Sequence, residues 1–206
     1  MRTKTLLLTA AVVAAGIATS SAQVFSVNAV GYVNVTVPKG FSLIANPLKA
    51  ATNTVGALLA SAPDGVTVYK YGATGFSING KEFGDFANPT QSLNPGEGAF
   101  VNNPGNPFTV TFVGEVSQGA LTNAIPKGFS IRASIVPQAG QLDTVLGFPV
   151  VEGDTVYRFN NATGRYVTHG YEFGAWSSPP TPAVGEAFFI NKFAAVNWVR
   201  NFSVNN

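Results

Sequence analysis

The sequence predicts an all-β protein made of two tandem, pseudo-symmetric β-sandwich-like units, each with one minor short helix. Three observations carry that expectation. The stretch Pro38-Lys39-Gly40-Phe41-Ser42-Leu43-Ile44-Ala45 returns 88 positions later as Pro126-Lys127-Gly128-Phe129-Ser130-Ile131-Arg132-Ala133. Gly65-Val66-Thr67-Val68-Tyr69-Lys70-Tyr71 returns at the same 88-residue offset as Gly153-Asp154-Thr155-Val156-Tyr157-Arg158-Phe159. Around these boxes the apolar residues come in short runs, often alternating with polar ones and bounded by Gly, Pro and Asn, which is how strands and tight turns are written.

Before the first unit, Arg2 and Lys4, an apolar run from Leu6 to Ala18 and the small residues Ser20-Ser21-Ala22 read as an export signal, with cleavage near Ala22. The run is short for a hydrocarbon span, which takes about 20 apolar residues. The mature chain is therefore expected to carry no transmembrane helix and to be exported, to the extracellular space, the cell surface or the periplasm. The units are expected at residues 23–117 and 118–206, after the signal at 1–22.

In unit 1, Val33, Val35 and Val37 alternate with Asn34 and Thr36 as a half-buried strand, and Pro38-Lys39-Gly40 turns the chain. Phe41 to Ala45 is a short apolar strand stopped by Asn46-Pro47. Val55, Leu58 and Leu59 fall at helical spacing behind Asn53 or Thr54 as cap, and Pro63-Asp64-Gly65 ends that helix. A hairpin follows from Val66 to Ile78, then a loop from Phe83 to Asn94 with room for one short edge strand. Pro95-Gly96-Glu97-Gly98 leads into Ala99-Phe100-Val101, and Thr109 to Val116 closes the unit. Unit 2 repeats the order: strands at Thr122 to Ile125 and Phe129 to Ser134, a weaker helix at Leu142 to Leu146, a hairpin around Asn160 to Gly164, a strand after Gly185-Glu186, and a closing strand from Val196 to Val204. The offset drifts only from 88 to 90, as Glu82-Phe83-Gly84 against Glu172-Phe173-Gly174 shows, so single-residue changes belong in loops. Two copies are too few for an open solenoid.

The boxes Gly-Phe-Ser-Leu-Ile-x-x-Pro, Val-Tyr-x-Tyr and Pro-Gly-Glu-Gly-x-Phe-Val resemble the repeat of uncharacterised bacterial secreted and cell-surface tandem β-repeat proteins. The opening Asn28-Ala29-Val30-Gly31-Tyr32-Val33-Asn34-Val35 is similar to the start of a subgroup with a signal and a tandem pair. The resemblance implies a fold and an exported location. It carries no catalytic residues to transfer. Unit 2 departs from the pattern at Ala133-Ser134-Ile135-Val136-Pro137 and at Val184, where unit 1 has Pro95.

Composition narrows function. Without its first 22 residues the chain has ten basic and ten acidic residues, so there is no electrostatic case for nucleic acid or an anionic membrane. Charged residues make up only 11% of the chain, which favours self-association. There are no cysteines, so stability rests on burial, for which the 16 Phe are the expected filler, with Phe41 and Phe129 as core anchors. No calcium loop is written, and no cofactor is expected. The single His169 is read as an exposed turn residue without catalytic partners. Glu82 and Glu172, Glu97 and Glu186, and Asp64 and Glu152 recur as pairs. Glu97 and Glu186, set just before apolar strands, are expected to accept turn amide hydrogens rather than act as acid and base.

The aromatic group of unit 2 is the remaining candidate, with Tyr166, His169, Tyr171 and Trp176 as its ligand-binding residues. Phe76, Phe83 and Phe86 hold related places in unit 1, and that recurrence also fits packing. Phe25-Ser26-Val27-Asn28 reappears as Phe202-Ser203-Val204-Asn205, a match that suits either strand exchange between copies or simple equivalence of the units. The expected function is that of a non-enzymatic, exported structural or adhesive protein, its partners copies of itself or other envelope and matrix components. The alternative is a carbohydrate-binding module that takes polysaccharide on the unit 2 aromatics.

Overall fold

The computed structural model describes residues 29–204; the signal reading at 1–22 and the Phe25–Asn28 end of the terminal match lie outside them. Unit 1 runs β1 (Val30–Val37), β2 (Gly40–Ile44), helix α1 (Val55–Leu58), β3 (Thr67–Gly72), β4 (Gly75–Glu82), β5 (Asp85–Phe86), β6 (Ala99–Asn103) and β7 (Phe108–Glu115). Unit 2 repeats the strands as β8 (Gly119–Ile125), β9 (Gly128–Arg132), β10 (Thr155–Asn160), β11 (Arg165–Glu172), β12 (Ala175–Trp176), β13 (Phe188–Lys192) and β14 (Val196–Phe202). Each unit has a two-stranded antiparallel sheet, β1-β7 or β14-β8, and a five-stranded one, ordered β2-β6-β3-β4-β5 or β9-β13-β10-β11-β12.

The alternation in β1 sets the layers. Val37 points inward and meets Val110 and Phe112 of β7 above Ile44, Val68 and Val101 of the larger sheet. Val55, Leu58 and Leu59 close the end of this core. In unit 2 Ile125 and Trp198 lie over Val156, Phe188 and Ile190, with Leu142, Leu146 and Phe148 at the end. The buried Trp198 indole donates to the Leu146 carbonyl at 2.9 Å, which satisfies its one polar atom. The Pro-Lys-Gly turns need glycine, since Gly40 and Gly128 sit at φ +92° and +82°.

The helix recurs only as a turn. Thr54 is the N-cap of α1, although its side chain makes no capping hydrogen bond, and the helix is a single turn of four residues. Residues 142–146 form a hydrogen-bonded turn instead, with the Val145 and Leu146 amides both donating to the Gln141 carbonyl at 3.0 Å. Asp143 explains part of this correction: its carboxylate takes the Thr144 amide and the Gln141 side chain, local bonds that compete with helix. Gly140 and Gly147, at φ +143° and +65°, bound the segment on both sides.

The units meet along a reciprocal seam. The exposed edge of β2 is paired by residues before β13, the Ala45 amide donating to the Gly185 carbonyl at 2.8 Å. The edge of β9 is paired in the same way by residues before β6, the Ala133 amide donating to the Gly96 carbonyl at 3.1 Å. Each unit thus covers an edge that would otherwise invite other chains. Behind the seam lies a third core of Leu43, Ala45, Phe100, Ile131, Ala133, Ala187 and Phe189. Gly98 and its repeat mate Ala187 touch here: a Cβ on Gly98 would stand 2.4 Å from that of Ala187 and 2.6 Å from Ile131 Cγ2.

The seam also corrects the expectation for the Phe41 and Phe129 rings. Strand alternation puts Ser42 and Ile44 on one face of β2 and Phe41 and Leu43 on the other. Phe41 and Phe129 therefore lie at the rim of the seam, 44% and 50% exposed, rather than inside a core.

Candidate functional site

Five positions are aromatic in both units and fall on the seam side of their sheets: Phe41 and Phe129, Tyr69 and Tyr157, Tyr71 and Phe159, Phe76 and Tyr166, Phe100 and Phe189. On β3 and β10 this follows from period two, since Val68 and Val156, one residue before Tyr69 and Tyr157, go to the cores and Lys70 and Arg158 separate the paired rings. The rings interlock across the units, with Phe100 to Phe159 and Tyr71 to Phe189 both at 5.3 Å and edge to face. Each such pair contributes about 0.5–1.5 kcal/mol beyond its buried area. The result is a partly open aromatic floor.

Two cavities open on this floor, and they are repeat mates. One, of about 550 Å³, is walled by Phe41, Tyr69, Phe76, Phe100, Phe159 and Tyr166. The other, of about 310 Å³, is walled by Phe129, Tyr157, Tyr166, Phe189 and Tyr71. Burial among these rings pushes the Tyr166 phenol above its ordinary pKa, so it stays a neutral hydrogen-bonding group.

The larger cavity runs on into a polar cleft of about 500 Å³, the two sharing Phe159 and Asn161 as walls. The cleft is lined by Asn34 and Thr36 of β1, Ser42 of β2, and Arg158, Asn160 and Glu186 of unit 2. Arg158 holds Glu186 through two bonds of 2.7 and 2.8 Å, a bidentate pair that fixes the cleft wall.

An insertion produces this continuity. In unit 1 only Ala73 and Thr74 join β3 to β4, whereas Asn161 to Gly164 join β10 to β11. The two added residues let the Asn161 amide reach across the seam and donate to Ser42 Oγ at 3.1 Å. On the related side of the seam, Asn123 stands where unit 1 has Val35, and its amide donates to the Gly96 and Ala133 carbonyls at 3.1 and 3.2 Å. Arg132 stands there in place of Ile44; burial lowers its pKa and the nearby Glu97 opposes that shift. Longer polar side chains therefore stand on that side of the seam, where unit 1 presents Val35 and Ile44.

The predicted residues are divided by the strand they share. Tyr166 faces the aromatic floor. His169 was expected exposed in a turn; it is instead buried within β11 on the opposite face. Its Nδ1 lies 2.8 Å from the Ser178 carbonyl, so that nitrogen carries the proton and donates. Asn79 does the same work in unit 1, its amide donating to the Asn88 carbonyl at 2.8 Å. Tyr171 and Trp176 do meet, with ring centroids 5.2 Å apart. Trp176 is only partly buried, packs on the unit 2 core, and lines a separate hollow of about 310 Å³ with Gly170 and Ser177. The four residues do not form one site.

Of the repeated carboxylates, Glu97 and Glu186 are engaged in structure. Glu97 accepts the Asn94 amide at 2.7 Å and Lys70 at 3.1 Å, and Glu186 accepts the Ala183 amide at 2.9 Å, as expected of turn acceptors. Among the described residues no three His, Asp or Glu side chains come together as metal ligands, and no helix is long and apolar enough to cross a membrane. No protein-family model, curated protein or solved structure matches the chain.

The sequence reading missed Phe41, Phe159, Asn161 and Arg158 as site residues. The signal for them was present: the offset rises from 88 to 90 between Phe159 and Tyr166, which marks where the two halves cease to be equivalent.

Proposed function

We propose that the protein is an exported, non-catalytic adhesive module that holds polysaccharide on the seam between its units. The observation that carries this reading is the continuity, at Asn161, of an aromatic cavity with a hydrogen-bonding cleft. A sugar ring presents an apolar face and an equatorial fringe of hydroxyls, and needs both kinds of wall at once. Phe159, Tyr69 and Tyr166 supply faces for stacking; Asn161, Asn34 and Arg158 supply donors and acceptors at the adjoining wall. Export is supported by the N-terminal residues, with Arg2 and Lys4 before an apolar run and Ser20-Ser21-Ala22. A non-catalytic role is supported by the way Glu97 and Glu186 are tied to cations and turn amides.

Binding of the purified protein to a panel of plant, bacterial and chitin-type glycans tests the proposal. Tyr166→Ala and Asn161→Ala are expected to weaken binding about tenfold or more each, which corresponds to about 1.4 kcal/mol. Trp176→Ala, outside the seam, is expected to leave binding unchanged. Binding lost on Trp176→Ala and kept in the seam variants would return the site to the unit 2 hairpin.

A further inference from the structure

Phe83 and Phe173 are each 96% exposed and each sits at φ +54°. Left-handed backbone is costly for a bulky side chain and free for glycine, so a phenylalanine there with nothing packed on it is unexplained by folding. It occurs at the tip of the β4–β5 hairpin and again at the tip of β11–β12. Acidic side chains hold the conformation. Asp64 accepts the Gly84 amide at 2.9 Å; Glu152 accepts the Phe173 amide at 2.6 Å and the Gly174 amide at 3.2 Å. Strain that is braced and presented to solvent points to a contact made there.

The collar around the rings restricts what that contact is. Glu82, Asp85 and Asp64 surround the first tip, and Glu172 and Glu152 the second, which together are five of the chain's ten acidic residues. An anionic lipid surface would repel them. A partner must offer an apolar recess edged by positive charge.

Unit 2 of the same protein offers one. A cleft of about 560 Å³ lies between the end of β8 and the start of β14, lined by Ile125, Pro126, Ala195 and Val196, with Arg132 at its wall. The Arg132 Nε is buried and has no hydrogen-bond partner. Lys127, next to Pro126, is exposed. Unit 1 carries Ile44 where unit 2 has Arg132, so the guanidinium belongs to this cleft alone. The first tip is the better match, since Asp85 is replaced by Ala175 in the second.

We propose that Phe83 of one copy seats in the Ile125–Val196 cleft of another, with Glu82 and Asp85 facing Lys127 and Arg132. Tip and cleft lie on different units, so a tip seated in a neighbour that does not return the contact makes a heterologous interface, which propagates head to tail. The balance of ten basic and ten acidic residues beyond position 22 leaves no net repulsion between copies. This assembly is independent of what the seam binds.

Sedimentation velocity over a wide concentration range, at low and high salt, tests it. The wild type is expected to form oligomers that grow with concentration and weaken with salt. Phe83→Gly and Lys127→Glu are each expected to be monomeric; glycine suits the left-handed position, so the melting temperature of Phe83→Gly should match or exceed that of the wild type. A Glu82→Lys/Asp85→Lys copy and a Lys127→Glu copy are expected not to assemble alone and to co-assemble when mixed. A wild type that stays monomeric at every concentration, oligomers that survive either single substitution, or charge-reversed copies that fail to combine would overturn the proposal.

Discussion

Unit 1 has Val66 and Asn103 where unit 2 has Asp154 and Lys192, and the equivalent positions fasten different neighbouring segments. Asn103 donates to the Val37, Pro38 and Asn106 carbonyls and so ties the ends of β1 and the β6–β7 turn with a neutral amide. Lys192 and Asp154 are fully buried and bonded to each other; Lys192 also donates to the Pro149 carbonyl at 2.6 Å, and Asp154 accepts the Val151 and Phe193 amides at 2.9 Å. The same backbone thus tolerates either a neutral tie or an ion pair, provided that every buried polar atom is met. What the sequence repeat conserves is strand geometry, while the polar contents of equivalent positions are free to diverge in concert.

Breaking the ion pair on one side is the harshest test of that comparison. Lys192→Met leaves Asp154 charged and buried, and is expected to cost about 3–5 kcal/mol in urea unfolding. Installing the unit 1 residues together, Asp154→Val with Lys192→Asn, should recover more than half of that loss; a double variant as unstable as the single one would mean that the units are not interchangeable here.

The contact of Gly98 with Ala187 comes next. Gly98→Ala forces two methyl groups and Ile131 into one space, with an expected loss of about 1–3 kcal/mol. Ala187→Gly combined with it exchanges the two residues and should restore most of the stability, as thermal melting of the three variants would report.

At the third pair, His169→Ala strands the Ser178 loop and is expected to cost about 1–2 kcal/mol. His169→Asn copies unit 1 and should stay within about 1 kcal/mol of wild type, because Asn79 holds Asn88 in the related loop. Equal losses for both variants would show that the imidazole has a role of its own.

The smallest effect belongs to the turn that replaces the helix. Partial burial raises the Asp143 pKa, but hydrogen bonds from Gln141 and the Thr144 amide outweigh it and leave the carboxyl below its ordinary value. Its folded-state pKa is depressed, so its contribution is present above the usual carboxylate range and disappears as pH falls through the lower folded value. Solvent screening keeps that contribution to a few tenths of a kcal/mol at most, so Asp143→Asn should fall slightly below wild type at neutral pH and converge with it in acid.

Most of the architecture was legible because period-two alternation and punctuating Gly and Pro are local signals. Val33, Val35 and Val37 identify β1, and the duplicated boxes identify the equivalent strands. Phe41 and Phe129 were misplaced because alternation separates two faces without saying which is the interior, and here both faces of the larger sheets are packed, one against a core and one against the other unit. His169 looked like a turn residue because Gly170 follows it, yet β11 continues through that glycine to Glu172. The helix at Leu142 to Leu146 had apolar residues in suitable places but no account of Asp143 competing for its backbone. The seam site was least legible, since its walls come from strands over a hundred residues apart and only the change of offset near Asn161 hinted at it.

The crossed edge bonds at Ala45 and Ala133 have a consequence for symmetry. Either half, taken alone, would carry both the bare strand and the segment that caps it, and two such halves could satisfy one another about a twofold axis. The present chain has the form of two such halves linked end to end near Gly119, and a single chain, unlike a pair of identical ones, can carry unlike faces on its two halves.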